Sequence, residues 1–197
     1  MSGLIYRALI GAGQTTLGYK EALKRCRSGW KVLDVGTGDG FALLRNKDLI
    51  VESNLSIVCL EPDALAAKLL AREIAKEGLE NQIKVRVEYL SHASLSEYDC
   101  CLCITTLVVF PTTEERRDCV DMCLSHVKPG GKVILHQTLY GGLNNIFLLS
   151  RYLMSFTAYH LYRPLFLNDL KSIFSGRLWD MESIHWLAPF MLFTVSK

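Results

Sequence analysis

The chain has 197 residues, half of them hydrophobic and 21% charged. That is the composition of a globular domain with a sizeable core and not of a disordered chain. Its 22 basic and 20 acidic residues leave a net charge of +2, without the clustered basic stripe that nucleic-acid binding usually requires. The mean hydropathy of +0.19 is high for such a domain and points to an apolar pocket, a lipid-facing surface or a covered partner face.

In chain order, residues 4–27 alternate apolar and basic positions at helical spacing. The spacing predicts a short helix, a glycine-rich turn at "GAGQTTLGY" and a second helix from Tyr19 to Cys26. "WKVLDVG" reads as a buried parallel strand, followed by a helix over Gly40–Val51. "LSIVCLEPD" is a second strand. "DALAAKLLAREIAKEG" is a strong helix with Asp63 as its cap and Gly78 as its stop. "IKVRVEYL" is a third strand and "YDCCLCITTLVVF" a fourth, continuously apolar as a central strand should be. "TEERRDCVDMCLSHVKPGG" reads as a helix ending in a Pro-Gly-Gly turn, and "KVILHQTLY" as a fifth strand. An aromatic-rich helix over Asn144–Tyr162 and a helix over Leu167–Phe174 come next. "RLWDMESIHW" and "FMLFTVSK" then form an antiparallel hairpin. Strands alternating with helices call for a parallel sheet covered on both faces. No linker or repeat divides the chain, and every long apolar stretch is interrupted by Arg151, His160 or Arg163, so no transmembrane span is expected.

Seven cysteines, at 26, 59, 100, 101, 103, 119 and 123, fall mostly inside apolar runs. Met1–Leu17 lacks the basic-then-apolar order of a leader. Reduced thiols packed as small core hydrophobes in a cytoplasmic protein are the expectation. Cys101 and Cys103 share a strand face, and Cys119 and Cys123 a helix face. No CxxC and no nearby histidine completes a zinc spacing, so no metal is expected.

The stretch "LDVGTGDG", residues 33–40, packs an acid and three alternate glycines into one strand-to-helix turn. In open α/β sheets, ligands sit beyond the carboxyl ends of the strands, near the point where the winding reverses. The pattern is GxGxG rather than the dinucleotide GxGxxG, and Asp34 and Asp39 would oppose a pyrophosphate. With no GK[ST] there is no P-loop. A cationic or zwitterionic ligand without phosphate fits better, and S-adenosylmethionine is such a ligand. Glu61, at the end of the second strand, stands near the offset at which an acid meets a ribose diol.

These residues resemble the class I S-adenosylmethionine-dependent methyltransferases. "VLDVGTGDG" resembles that family's first motif and "LEPD" its acidic second. "YDCCLCITTLVVFP" resembles its fourth-strand segment, and "LSHVKPGGKVILHQ" the late Pro-Gly-Gly motif. The resemblance covers residues 28–197. It implies one doubly wound α/β domain, 1–197, with a mostly parallel seven-stranded sheet of order 3-2-1-4-5-7-6 and strand 7 antiparallel. It implies an N-terminal helical cap over 1–27 and an inserted helical substrate cap over 142–163. The cofactor residues it implies are Asp34, Gly36, Thr37, Gly38, Gly40, Glu61, Pro62, Ser91, His92 and Thr105. The acid that the family often carries after strand three, for the adenine amino group, is read as absent, with Leu90, Ser91 and His92 in its place.

His136 and Tyr140 follow the fifth strand at the same cleft. His136 is a candidate general base, with a packed core histidine as the competing reading. Tyr6 and Tyr19 either face the sulfonium by cation–π attraction or simply pack. Phe147, Tyr152 and Phe156 are candidate pocket residues, with a dimer face, a plain core helix and a membrane-contacting helix as the alternatives for their segment. The implied activity is methyl transfer to a small, partly apolar molecule. The alternatives are a protein methyltransferase and a non-catalytic cofactor-binding subunit. A small-molecule substrate, no nucleic acid and a homodimer are the partner expectations.

Overall fold

The computed structural model describes residues 12–94, 97–140, 165–183 and 190–197. Helix α1 (Ala12–Leu23) precedes β1 (Lys31–Val35), short helices α2 (Phe41–Leu44) and α3 (Lys47–Glu52), and β2 (Ser56–Leu60). Helix α4 (Ala64–Lys76), β3 (Ile83–Arg86), β4 (Tyr98–Ile104), α5 (Thr113–Ser125) and β5 (Val127–Tyr140) complete the βα alternation. A two-residue strand β6 (Leu165–Phe166), helix α6 (Leu167–Ile173), β7 (Trp179–Ser183) and β8 (Phe190–Ser196) close the chain.

The sheet order is β3-β2-β1-β4-β5-β8-β7, with β6 beside the end of β5. Strands β1 to β5 are parallel, and β8 runs antiparallel to both β5 and β7. This is the expected order and reversal, renumbered by the small β6. Register explains the two cores. Asp34 stands level with Cys59 and Leu102, so even positions of β1 and β4 share one face. That face packs Val32, Cys100, Leu102 and Ile134 against Tyr19, Ala22 and Leu23 of α1 and Leu70 and Ile74 of α4. The other face packs Leu33, Cys101, Cys103, Val133 and Leu135 against Cys119, Val120 and Cys123 of α5 and Leu170 of α6. All seven cysteines are free and buried.

The Asp63 carboxylate accepts from the Leu65 and Ala66 N–H groups at 2.8 and 3.0 Å, which fixes the start of α4. Such a cap stabilises by about 1 kcal/mol. Pro62 therefore stands outside the helix, one residue before its cap. Thr112 and Glu115 form a reciprocal capping box on α5.

Several expectations are corrected. The predicted turn at "GAGQTTLGY" is helix α1, and Gly18 sits inside it because His136 leaves no room for a side chain. A Cβ there would lie 2.5 Å from His136 Cγ. The single helix expected over 40–51 is two, broken where the Asn46 amide donates to the Thr16 and Ala42 carbonyls, both at 3.0 Å. The Pro-Gly-Gly turn lies within β5, where the pairing with β4 slips between Tyr98 and Cys100. The expected helix over 144–162, the cap over 142–163 and Tyr6 lie outside the described residues.

Candidate functional site

β1 and β4 are neighbours from which the chain winds outward in opposite directions, so the carboxyl ends of these two strands mark the reversal. The loop 36–40 crosses that point. Its three glycines all have positive φ, but they do different work. A Cβ on Gly36 would lie 2.8 Å from Thr106 Cγ2, and one on Gly40 would lie 2.1 Å from Leu70 Cδ1. Those two glycines permit packing. A Cβ on Gly38 would meet nothing within 4 Å. Gly38 alone presents bare backbone to open space.

Glu61 follows β2 and is 8% exposed. Its carboxylate accepts from the Gly38 N–H at 2.7 Å and the Asp63 N–H at 2.9 Å, so it ties the tip of the glycine loop to the end of β2. A carboxylate offers about four acceptor positions, which leaves capacity for two more donors.

Asp34 is fully buried beneath the loop. Its Oδ2 accepts from the Tyr19 hydroxyl and the Thr37 hydroxyl, both at 2.8 Å. Its Oδ1 is buried without a hydrogen-bond partner. Burial drives its pKa up to about 7, the two hydroxyl donors oppose the rise, and the Glu61 charge adds to it. A buried carboxylate with one spare oxygen is an acceptor that a cationic group can satisfy. Tyr19 is therefore neither a free ring facing a ligand nor mere packing, but the donor that orients Asp34.

At the end of β4, Thr105 adopts φ 59, a left-handed conformation that is costly for a β-branched residue. Its hydroxyl donates to the Ile104 carbonyl at 2.7 Å. The Thr106 hydroxyl donates to the Val35 carbonyl at 2.8 Å, locking the ends of β4 and β1 together.

His136 does not join this group. It is fully buried under α1, against Gly18, and burial lowers its pKa to about 4. It is thus neutral at pH 7, and the structure gives it the packing place rather than that of a base at the cleft. Tyr140 is the last residue of β5, paired with Phe166. Ser91 and His92 lie exposed in a short turn after β3, with the His92 ring edge-on to Tyr89 at 6.0 Å.

The sequence reading missed an acid. Glu88 stands two residues past β3, partly buried, with Oε1 3.5 Å from Arg86 and no hydrogen-bond partner on that oxygen. The signal was Glu88 in "VEYL", two residues before Leu90.

The family model for a methyltransferase domain matches residues 32–131, so the chain belongs to that family. Its motifs' resemblance to the class I S-adenosylmethionine-dependent methyltransferases is thereby upheld. Among solved structures the chain is similar to the apo S-adenosylmethionine-dependent methyltransferase SibL, with TM-score 0.74 and 19% identity. That match covers 99% of this chain and 56% of SibL. It is similar to the mitomycin 7-O-methyltransferase MmcR, with TM-score 0.75, 14% identity, and coverage of 99% and 57%. A methyltransferase from Methanosarcina mazei matches with TM-score 0.66, 14% identity, and coverage of 89% and 96%. The chain thus spans little more than half the length of the first two. No curated protein matches the sequence.

Proposed function

We propose that this chain binds S-adenosylmethionine at the carboxyl edge of β1, β2 and β4 and transfers its methyl group to a small, partly apolar acceptor. The observation that carries this reading is the pairing of an open glycine with a spare buried carboxylate oxygen. Gly38 faces empty space beside Glu61, and Asp34 Oδ1 lacks a partner just below. S-adenosylmethionine, when bound, supplies a methyl group made electrophilic by the sulfonium.

Each residue has a task in that frame. Gly38 admits the ligand to the backbone. Glu61, while holding the loop, accepts the ribose hydroxyls on its remaining lone pairs, and charged acceptors make the stronger bonds. Asp34 attracts the cationic part, with Tyr19 and Thr37 fixing its orientation. Glu88, with the Ser91–His92 turn beside it, takes the adenine amino group. An acid at Glu88 weighs against the non-catalytic reading, which drew on the absence of one after strand three.

The chain's contribution to rate is alignment of acceptor and donor. Effective molarities of roughly 10⁵–10⁸ M are available from alignment alone in favourable cases. The apolar side chains exposed at the same edge, Val109 and Phe166 among them, favour a partly apolar acceptor. So does the likeness to a methyltransferase that acts on mitomycin. The seven free thiols suit a reducing, cytoplasmic setting. The test is to incubate the protein with S-adenosylmethionine and small hydroxyl-, amine- and carbon-acid acceptors, and to read S-adenosylhomocysteine by mass spectrometry. Acceptor-dependent product is expected. Binding of the cofactor with no turnover over a broad panel, including peptides, would refute the small-molecule reading.

A further inference from the structure

We propose that Gln137, at the carboxyl end of β5, selects the methyl acceptor by gripping a neutral hydroxyl or amide group on it. The proposal rests on the methyl-transfer reading above and names the polar feature that the acceptor carries. Gln137 is fully buried, and its amide nitrogen and oxygen both lack a hydrogen-bond partner among the described residues. With both atoms unpaired, turning the amide over changes nothing. An amide shut away in this state loses its hydration at both ends and regains nothing. The large majority of buried side-chain polar atoms are paired, so an amide with both atoms orphaned marks the place of a missing group.

Register puts that place at the cofactor's edge. Leu102 of β4 stands level with Asp34 of β1 and with Ile134 of β5. Gln137 is three residues further along β5, about 10 Å toward the carboxyl side. β1 ends at Val35, and β4 ends at Ile104, which is level with His136. Gln137 therefore stands just past the ends of both strands, two strands across from the glycine loop. The Thr105 N–H donates to the His136 carbonyl at 2.9 Å, which sets Thr105 beside it. Thr105 is strained, at φ 59, and backbone strain of that kind gathers at ligand clamps. Two departures from ordinary folding, one in the backbone and one in hydrogen bonding, meet at this point between β4 and β5.

The surroundings set the chemistry. Alternation along β5 puts Gln137 on the face of Val133 and Leu135, whose core includes Leu107 and Leu165. On β8 its partner in the ladder is Met191. Arg116, the buried cation of α5, is engaged by the Phe110 carbonyl, to which its Nε–H donates at 3.1 Å. A primary amide offers two N–H donors and one carbonyl acceptor. A hydroxyl or an amide on the ligand answers both halves. A carboxylate answers only the donors and an ammonium only the carbonyl. Each also brings a charge into an apolar enclosure, at a high desolvation cost. A group that meets this amide is closed off from water with it, which strengthens the electrostatics around the reacting pair.

The test uses four probes built on one ring: benzyl alcohol, benzamide, benzoate and benzylamine. They are titrated by ligand-observed NMR into the S-adenosylhomocysteine complexes of wild type and of Gln137→Met. Benzyl alcohol and benzamide should bind wild type at least about tenfold tighter than benzoate or benzylamine. Gln137→Met keeps the length but has neither donor nor carbonyl. It should lose that preference and keep its affinity for S-adenosylhomocysteine. It should also melt higher than wild type without ligand, because the orphaned amide is gone. A residue that merely packs predicts neither the lost preference nor the raised Tm. Gln137→Leu gives the same readouts should methionine disturb the core. A folded variant that keeps the wild-type preference, or a wild type that prefers a charged probe or binds none of the four, would overturn the proposal. So would a lower Tm in both variants, which would mean that the amide is already satisfied in the free protein. Failure of wild type to bind S-adenosylhomocysteine would sink the methyl-transfer reading itself, and that measurement alone tells the two failures apart.

Discussion

Burial of Asp34 carries a cost, and its Oδ1 has no hydrogen-bond partner to offset it. Its folded pKa, raised by burial to about 7 against about 3.9 for a free aspartate, means that the folded state holds the proton more tightly than the unfolded chain does. Its contribution to stability is therefore full below about pH 4 and falls away as pH rises to about 7. Replacing it by Asn keeps an acceptor for Tyr19 and Thr37 but cannot ionise. Asp34→Asn should melt like wild type near pH 4 and be more stable above pH 7, by up to about 4 kcal/mol. Its cofactor affinity should fall, and the rise of wild-type affinity between pH 6 and 8 should vanish. Scanning calorimetry and titration at both pH values check this, and a variant less stable than wild type at pH 8 would count against the orphaned anion.

The glycines separate in the same way. Alanine at any of the three positive-φ sites costs about 1–2 kcal/mol in backbone strain. At Gly36 it also strikes Thr106, which its bond to Val35 holds in place, adding about 1–3 kcal/mol. Gly36→Ala should therefore lower Tm most, Gly40→Ala less because the Leu70 tip can turn, and Gly38→Ala least. For Glu61, a folded Glu61→Ala should bind 2′-deoxy and native cofactor equally, whereas wild type should discriminate by roughly tenfold to over a hundredfold. Equal discrimination by both would leave Glu61 with the loop alone.

Among the elements, α1 is the one whose sequence misleads. Its glycines read as a turn, yet Gly18 is required by the His136 ring and Gly13 meets nothing within 4 Å. Gly13→Ala should stabilise by up to about 1 kcal/mol. Gly18→Ala should destabilise by about 1–3 kcal/mol and weaken cofactor binding, because displacing α1 withdraws the Tyr19 hydroxyl from Asp34. Thermal melts of the two variants check the contrast, and equal effects would deny α1 its contact with β5. The β strands were legible because buried parallel strands are continuously apolar runs bounded by turn residues. The break at Asn46 was not, since its partners at Thr16 and Ala42 come from packing rather than pattern. The roles of Tyr19 and of Glu61 in holding the loop were hidden for the same reason: a hydroxyl 15 residues away and a backbone donor 23 residues away leave no local mark.

For the whole molecule, topology does what no single motif can. It brings the glycine loop, the β2 acid, Glu88 and the ends of β4 to one edge. The central claim is that this edge binds S-adenosylmethionine through the open backbone at Gly38. Calorimetric titration of S-adenosylmethionine into wild type and into a folded Gly38→Val variant tests it most directly. Saturable 1:1 binding to wild type, lost in the variant, is the predicted result. No binding to wild type, or the same Kd for both, would contradict it.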